Sequence, residues 1–249
     1  MGSATGTVRH PKGPPETEST RGAAPFVSAL LDSSVGAKVI VALTGLGLVT
    51  FVVFHMIGNL KMFQGPDSIN AYAYFLKHST GALLWVARAG LLAVFVLHLG
   101  LALRLKARAR AARPVAYQYP GSVQATVASR TMVWTGIVVG LFVLYHLAHF
   151  TLGWLHGVDL NQQDAKGRHD VYSMVVAGFQ NPLICGIYVL AQLALFVHLL
   201  HGVQSSLQTL GLKNRRFAGP IRWLGYAVAL TILAGNLAIV FGVQLGWVK

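Results

Sequence analysis

Five apolar runs, at about 37–62, 82–105, 131–155, 183–207 and 223–247, constrain this chain more than any other feature. Each approaches or exceeds the roughly 20 residues a helix needs to cross about 30 Å of hydrocarbon. None alternates apolar and polar residues with a period of two. Backbone polar groups in lipid must be satisfied within the segment, so the runs read as helices rather than barrel strands. Composition agrees, since 54% of the 249 residues are apolar and only 11% are charged, less than half the roughly 25% of soluble domains. Such a chain lacks the charged surface that keeps a soluble enzyme dispersed, and as a whole it is too hydrophobic for disorder. The expected fold is all-α and integral to a membrane, a bundle of five transmembrane helices.

The remaining segments punctuate this pattern. Residues 1–30 hold Pro11, Pro14, Pro15, Glu16 and Glu18 and no signal-peptide stretch, which predicts a disordered cytoplasmic tail before a membrane domain at 31–249. Gly65-Pro66-Asp67 closes the first span, and Asn181-Pro182 opens the fourth with a capping residue and a first-turn proline. Gly219-Pro220 separates the fourth span from the fifth. Ile69 to Leu76 reads as a short interfacial helix with its tyrosines at headgroup level, and the polar 156–180 loop as the carrier of another.

The 20 basic residues outnumber the 7 acidic ones and give a net charge of +13. Their placement is uneven. Fourteen fall before the first span, between the second and third, or between the fourth and fifth, and six fall on the opposite side. The positive-inside rule then puts the N-terminus in the cytoplasm and the C-terminus outside, in the cell's inner (cytoplasmic) membrane. No groove of interleaved basic and aromatic residues suggests nucleic acid. The single cysteine, Cys185, excludes disulfide frameworks and zinc or iron–sulfur clusters held by this chain alone.

Six of the ten histidines fall inside spans: His55, His98, the doublet His146 and His149, and the doublet His198 and His201. Ionisable groups in a bilayer are expensive and raise a functional hypothesis by default; an interhelical hydrogen bond is the plain alternative for any single one. At 1.5 Å per residue, His55 lies roughly 7 Å outward of its span's middle, His146 about 4 Å and His149 about 9 Å. His98 and His198 lie roughly 6 Å inward, and His201 about 10 Å. The histidines thus sort into two levels, each drawn from two helices. Zinc and copper usually gather three or four ligands at one spot, whereas haem brings four nitrogens and needs two axial ligands. Proton relays pair histidine with carboxylates, but no Glu follows Glu18 and every Asp lies outside the spans. Two bis-histidine b haems is the reading that fits. Arg130, Ser129 and Arg104 near one face, and Arg88 and Lys61 near the other, are candidates for haem propionates, although each also serves as a topology or snorkelling residue.

The chain from about residue 30 resembles the cytochrome b membrane-anchor subunit of succinate dehydrogenase and fumarate reductase (succinate:quinone oxidoreductases), the single-subunit, two-haem, five-span type. The likeness is carried by His55-Met-Ile-Gly-Asn-Leu60, His98-Leu-Gly-Leu-Ala-Leu-Arg-Leu105, Ser129-Arg-Thr-Met-Val-Trp-Thr-Gly136, Tyr145-His-Leu-Ala-His-Phe150 and the run from His198 to Gly211. The resemblance implies an inner haem on His98 and His198 and an outer haem on His55 and His146, with His149 and His201 as the alternatives within the doublets. It also implies partners: a flavoprotein that handles the dicarboxylate and an iron–sulfur subunit docked on the basic loops 106–130 and 208–222. Electrons would pass from these through both haems to a membrane quinone, menaquinone by expectation, and the complex could form a higher oligomer. His149, Gln64, His156 and Asp159 are candidates for the quinone site. Relatives that carry protons on membrane-embedded glutamates find no counterpart here. The alternatives are a cytochrome b of another quinone-linked dehydrogenase, or a haem-free transporter with structural histidines.

Overall fold

The computed structural model describes residue 2 and residues 30–112, 126–155 and 158–249. Among them every regular element is helical. The elements are α1 (Ser34–Asn59), α2 (Pro66–Tyr74), α3 (Ala82–Ala111), α4 (Val127–His146), α5 (Val171–Gln180), α6 (Pro182–Thr209) and α7 (Ala218–Gln244). A 3₁₀ turn (Leu60–Gln64) extends α1, and π turns follow α2 (Phe75–Ser79) and α4 (Leu147–Thr151). Five of these helices are long and apolar enough to cross a membrane, which makes the chain a multi-pass membrane protein. The tail expected at 1–30 lies almost wholly outside the described residues.

Local chemistry sets the boundaries. Ser33 caps α1 by accepting from the Gly36 amide, Thr126 caps α4 through the Ser129 amide, and Asn181 caps α6 through the Leu183 amide. The second span runs on to Ala111 rather than stopping at 105, because its basic residues continue the helix. Its 30 residues reach about 45 Å, beyond the hydrocarbon at one end. Gly219-Pro220 does not break the chain between spans as expected. Both residues sit in the first turn of α7, where a proline costs no hydrogen bond, so the last span begins at Ala218 and ends at Gln244. The third span likewise starts earlier, at Val127, and its helix ends at Thr151, ahead of Gly153, whose φ of 62° turns the chain.

α1, α3, α4 and α6 form a ring in which α1 packs on α3 and α6, and α4 packs on α6 and, more lightly, on α3. α7 lies outside the ring against α6 and α1. Neighbours run antiparallel: Asp32 before α1 meets Arg104 late in α3, and Tyr188 early in α6 meets His146 at the end of α4. The ring's diagonals are α1 with α4 and α3 with α6. All five tryptophans are exposed, as are many leucines and valines, which is the outside of a protein whose solvent is lipid.

One end carries a cap built from α2, the 158–170 loop and α5. Asn70, fully buried, is its pin: the side chain donates to Asp170 and Asp164 and accepts from the Tyr172 amide. Arg168 binds Asp164 through Nε and Nη2 and also reaches Asp67, which Lys166 pairs from the other side. The short helices expected within the 62–81 and 156–180 loops are α2 and α5.

Candidate functional site

Histidines from diagonal helices meet near the cap. His55 of α1 and His146 of α4 have ring centroids 5.8 Å apart and planes at 86°. Two imidazoles bound to one metal through bonds of about 2 Å put their centroids about 6 Å apart. Each ring lies beside a phenylalanine one turn earlier on its own helix, Phe51 at 5.4 Å and Phe142 at 5.9 Å. The Tyr188 hydroxyl of α6 lies 3.1 Å from His146 Nδ1 and 3.0 Å from His149 Nδ1. One hydroxyl can donate to only one of two imidazole nitrogens and must accept from the other. A chain that runs from His146 Nδ1–H to Tyr188 and on to His149 Nδ1 pairs these three atoms and leaves His146 Nε2 for a ligand. His55 differs, because its Nε2 faces the Asn59 side-chain amide at 3.1 Å.

The doublet members occupy different places. His149 is fully buried among Tyr188, Phe150 and Gly178, in the packing between the π turn and α5. A π turn begins just after His146 and holds His149. His201 sits partly exposed one turn beyond His198.

At the other level, His98 of α3 rests on α1 and His198 of α6 rests on α4. His98 Nδ1 lies 3.1 Å from the Val41 carbonyl and 3.2 Å from Thr44 Oγ1. His198 Nδ1 lies 3.3 Å from the Met132 carbonyl and 3.4 Å from Thr135 Oγ1. A carbonyl only accepts, so Nδ1 carries the proton in both rings and Nε2 holds a free lone pair. A Cβ on Gly45 would stand 3.0 Å from His98 Cε1, and one on Gly136 3.1 Å from His198 Cε1, so each ring lies close over a glycine and would have to give by a few tenths of an ångström to admit a methyl.

This donor set suits haem. The bare Nε2 of a histidine whose Nδ1–H is held by a carbonyl is the form that binds a metal. Among the described residues no three His, Cys, Asp or Glu side chains gather as a cage for zinc or copper. No family model, no curated protein and no solved structure matches the chain.

The residues expected to hold propionates are dispersed. Arg104 binds the Leu31 carbonyl at 3.1 Å and Asp32 at 2.8 Å, clasping the start of α1, and Arg108 joins it. Ser129 serves the first turn of α4, and Arg130 lies exposed beside it. Lys61 sits over the Tyr72 ring, and Arg88 stacks over Trp85. Arg88 also lines a cavity of about 300 Å³ under the cap with Lys77, His169, Phe150 and Met174. Burial, and next the Lys77 charge, hold the His169 imidazole below its ordinary value. The candidate quinone residues do not form one site. Gln64 accepts from Ser68, Asp159 accepts from the Asn161 amide, His149 is in the core, and His156 lies outside the described residues.

Sequence reasoning overlooked Tyr188, Thr44, Thr135, Asn59 and the His169 cavity. A signal for the threonines was present: Thr-Gly stands eleven and ten residues before both His55 and His146.

Proposed function

We propose that this chain is the dihaem cytochrome b anchor of a succinate:quinone oxidoreductase. The observation that carries the reading is the pair of levels, each supplied by diagonal helices, with Nδ1 of His98, His198 and His146 held by partners, which leaves their Nε2 atoms as the donors for a metal. His98 and His198 would hold one haem b, and His55 and His146 the other. Bound haems would supply a one-electron path across the bilayer. The protein's own part is to orient four imidazoles, to set them among apolar helices and to offer a surface to soluble partners.

The excess of positive charge supports a cytoplasmic location for the end opposite the cap, where in this reading an iron–sulfur subunit would dock and, beyond it, the flavoprotein that oxidises succinate. The basic residues of α3's last turns and of the 208–222 loop are the docking surface in this reading. Quinone reduction belongs to the capped end, and the 300 Å³ cavity is the better candidate than the residues named from sequence. Lys77, Arg88 and His169 offer donors to quinone carbonyls, while Phe150 and Met174 offer apolar walls. This makes the chain a subunit of an enzyme without the dicarboxylate site.

Membranes that contain the protein test this directly. Succinate is expected to reduce the same b-type absorption that dithionite reduces, and a flavoprotein and an iron–sulfur protein to copurify. Haem bands that dithionite reduces and succinate does not would move the chain to another quinone-linked dehydrogenase.

A further inference from the structure

The two threonine–glycine pairs beneath His98 and His198 form the same device twice. In α1, Thr44 donates its hydroxyl proton to the Ile40 or Val41 carbonyl, which turns its oxygen's lone pairs toward His98 Nδ1–H. In α4, Thr135 donates to the Thr131 or Met132 carbonyl and faces His198 Nδ1–H in the same way. In each case the second acceptor is the carbonyl four residues before the glycine, and the imidazole edge lies over that glycine.

The duplication extends along both helices. The stretches Thr44-Gly-Leu-Gly-Leu-Val-Thr-Phe-Val-Val-Phe-His55 and Thr135-Gly-Ile-Val-Val-Gly-Leu-Phe-Val-Leu-Tyr-His146 share Thr, Gly, Phe, Val and His at the same five places. Each phenylalanine lies against the histidine of its own helix, and each threonine anchors the histidine of the adjacent helix. One helix therefore does two tasks: it cradles a ligand at one level and donates one at the other.

We propose that Thr44 and Thr135 are paired positioning residues for one metal centre, fixing the tautomer and ring plane of its two axial histidines from opposite sides. This inference rests on the haem reading above and adds which groups tune the centre. A hydroxyl suits the place because its bond to the i−3 or i−4 carbonyl of its own helix fixes where its lone pairs point. Acceptors at Nδ1–H raise imidazole basicity and favour the higher oxidation state of a bound iron. Removing one of the two acceptors weakens that effect while the carbonyl keeps the ring in place.

The test uses the full-length protein in its membrane complex, with T44V, T135V, T44S and T135S beside His98→Ala, which identifies the inner centre by its disappearance. T44V and T135V are expected to keep both haems, to raise the reduction potential of that same centre and to change its low-spin electron paramagnetic resonance signal. The two serine variants are expected to restore the wild-type values, and the other centre to stay unmoved. Gly45→Ala and Gly136→Ala are expected to shift the rings by a few tenths of an ångström and to alter the low-spin signal of the inner centre. Two haems with unshifted potentials in T44V and T135V overturn this inference and leave the haem reading standing. So do shifts that fall on different centres in the two variants. A preparation that binds no haem overturns both.

Discussion

The two histidine levels are built from the same helices but anchored by different chemistry. At the level far from the cap, both imidazoles lean on backbone carbonyls and threonine hydroxyls, groups that do not ionise in the working pH range. Near the cap, His146 leans on Tyr188 and through it on a buried second histidine, and His55 meets an asparagine. The first level is fixed by the bundle itself. The second depends on side chains that the cap and α5 hold in place. One level should therefore tolerate changes in the cap, whereas the other should not.

The largest effects separate the levels outright. His98→Ala and His198→Ala are each expected to remove the same one of two haems, and His55→Ala and His146→Ala the other, measured as haem per chain and in redox difference spectra. His149→Ala and His201→Ala are expected to retain both, because His149 is packed in the core beneath α5 and His201 lies a turn beyond the level. If His149→Ala removes a haem while His146→Ala does not, the assignment within the doublet is reversed.

Tyr188→Phe probes the anchor near the cap. It leaves two imidazole nitrogens without their shared partner, a loss of roughly 1–3 kcal/mol. The expected outcome is a lower unfolding temperature together with a displaced potential for the capped-end haem alone. Equal displacement of both potentials would break the comparison.

Asn70→Ala tests the cap from further away. It leaves the Tyr172 amide and two carboxylates short of a partner, again roughly 1–3 kcal/mol for the unsatisfied groups. Faster proteolysis of the 158–170 loop and weakened haem retention at the capped level are expected, with the other level intact.

Acid gives the smallest and most graded effect. Hydrogen bonds from Lys166, then Arg168, hold the Asp67 carboxyl below the usual range, and Arg168 holds Asp164 lower still. The Arg168–Asp164 pair carries more weight, since its side chains are only 13% and 12% exposed against 64% and 68% for Lys166–Asp67. Depressed folded values mean that the ion network stabilises the cap fully above the unfolded carboxylate value of about 3.9 and loses that contribution as pH falls through the folded values. Acid titration is therefore expected to release the capped-level haem before the other.

Much of this was legible in the sequence, and for physical reasons. Apolar length fixes a transmembrane helix almost without competition, so all five spans were readable, and helical rise alone sorted the histidines by depth. The fifth span's start was misread because Pro220 looks like a break and is tolerated in a first turn. The threonine anchors escaped because a hydroxyl in an apolar helix ordinarily bonds its own backbone, which Thr44 and Thr135 also do. Tyr188 and Asn70 escaped because their partners lie dozens of residues away. Arg104 looked like a propionate ligand by its depth, and only the packing of α3 on α1 reveals that Asp32 and Leu31 occupy it.

Haem stoichiometry and ligation in the purified chain test the central claim most directly. Pyridine haemochromogen assay with electron paramagnetic resonance is predicted to give two b haems per chain, both low-spin with two histidine ligands. No haem, one haem per chain, or a high-spin five-coordinate signal in the native protein would contradict it.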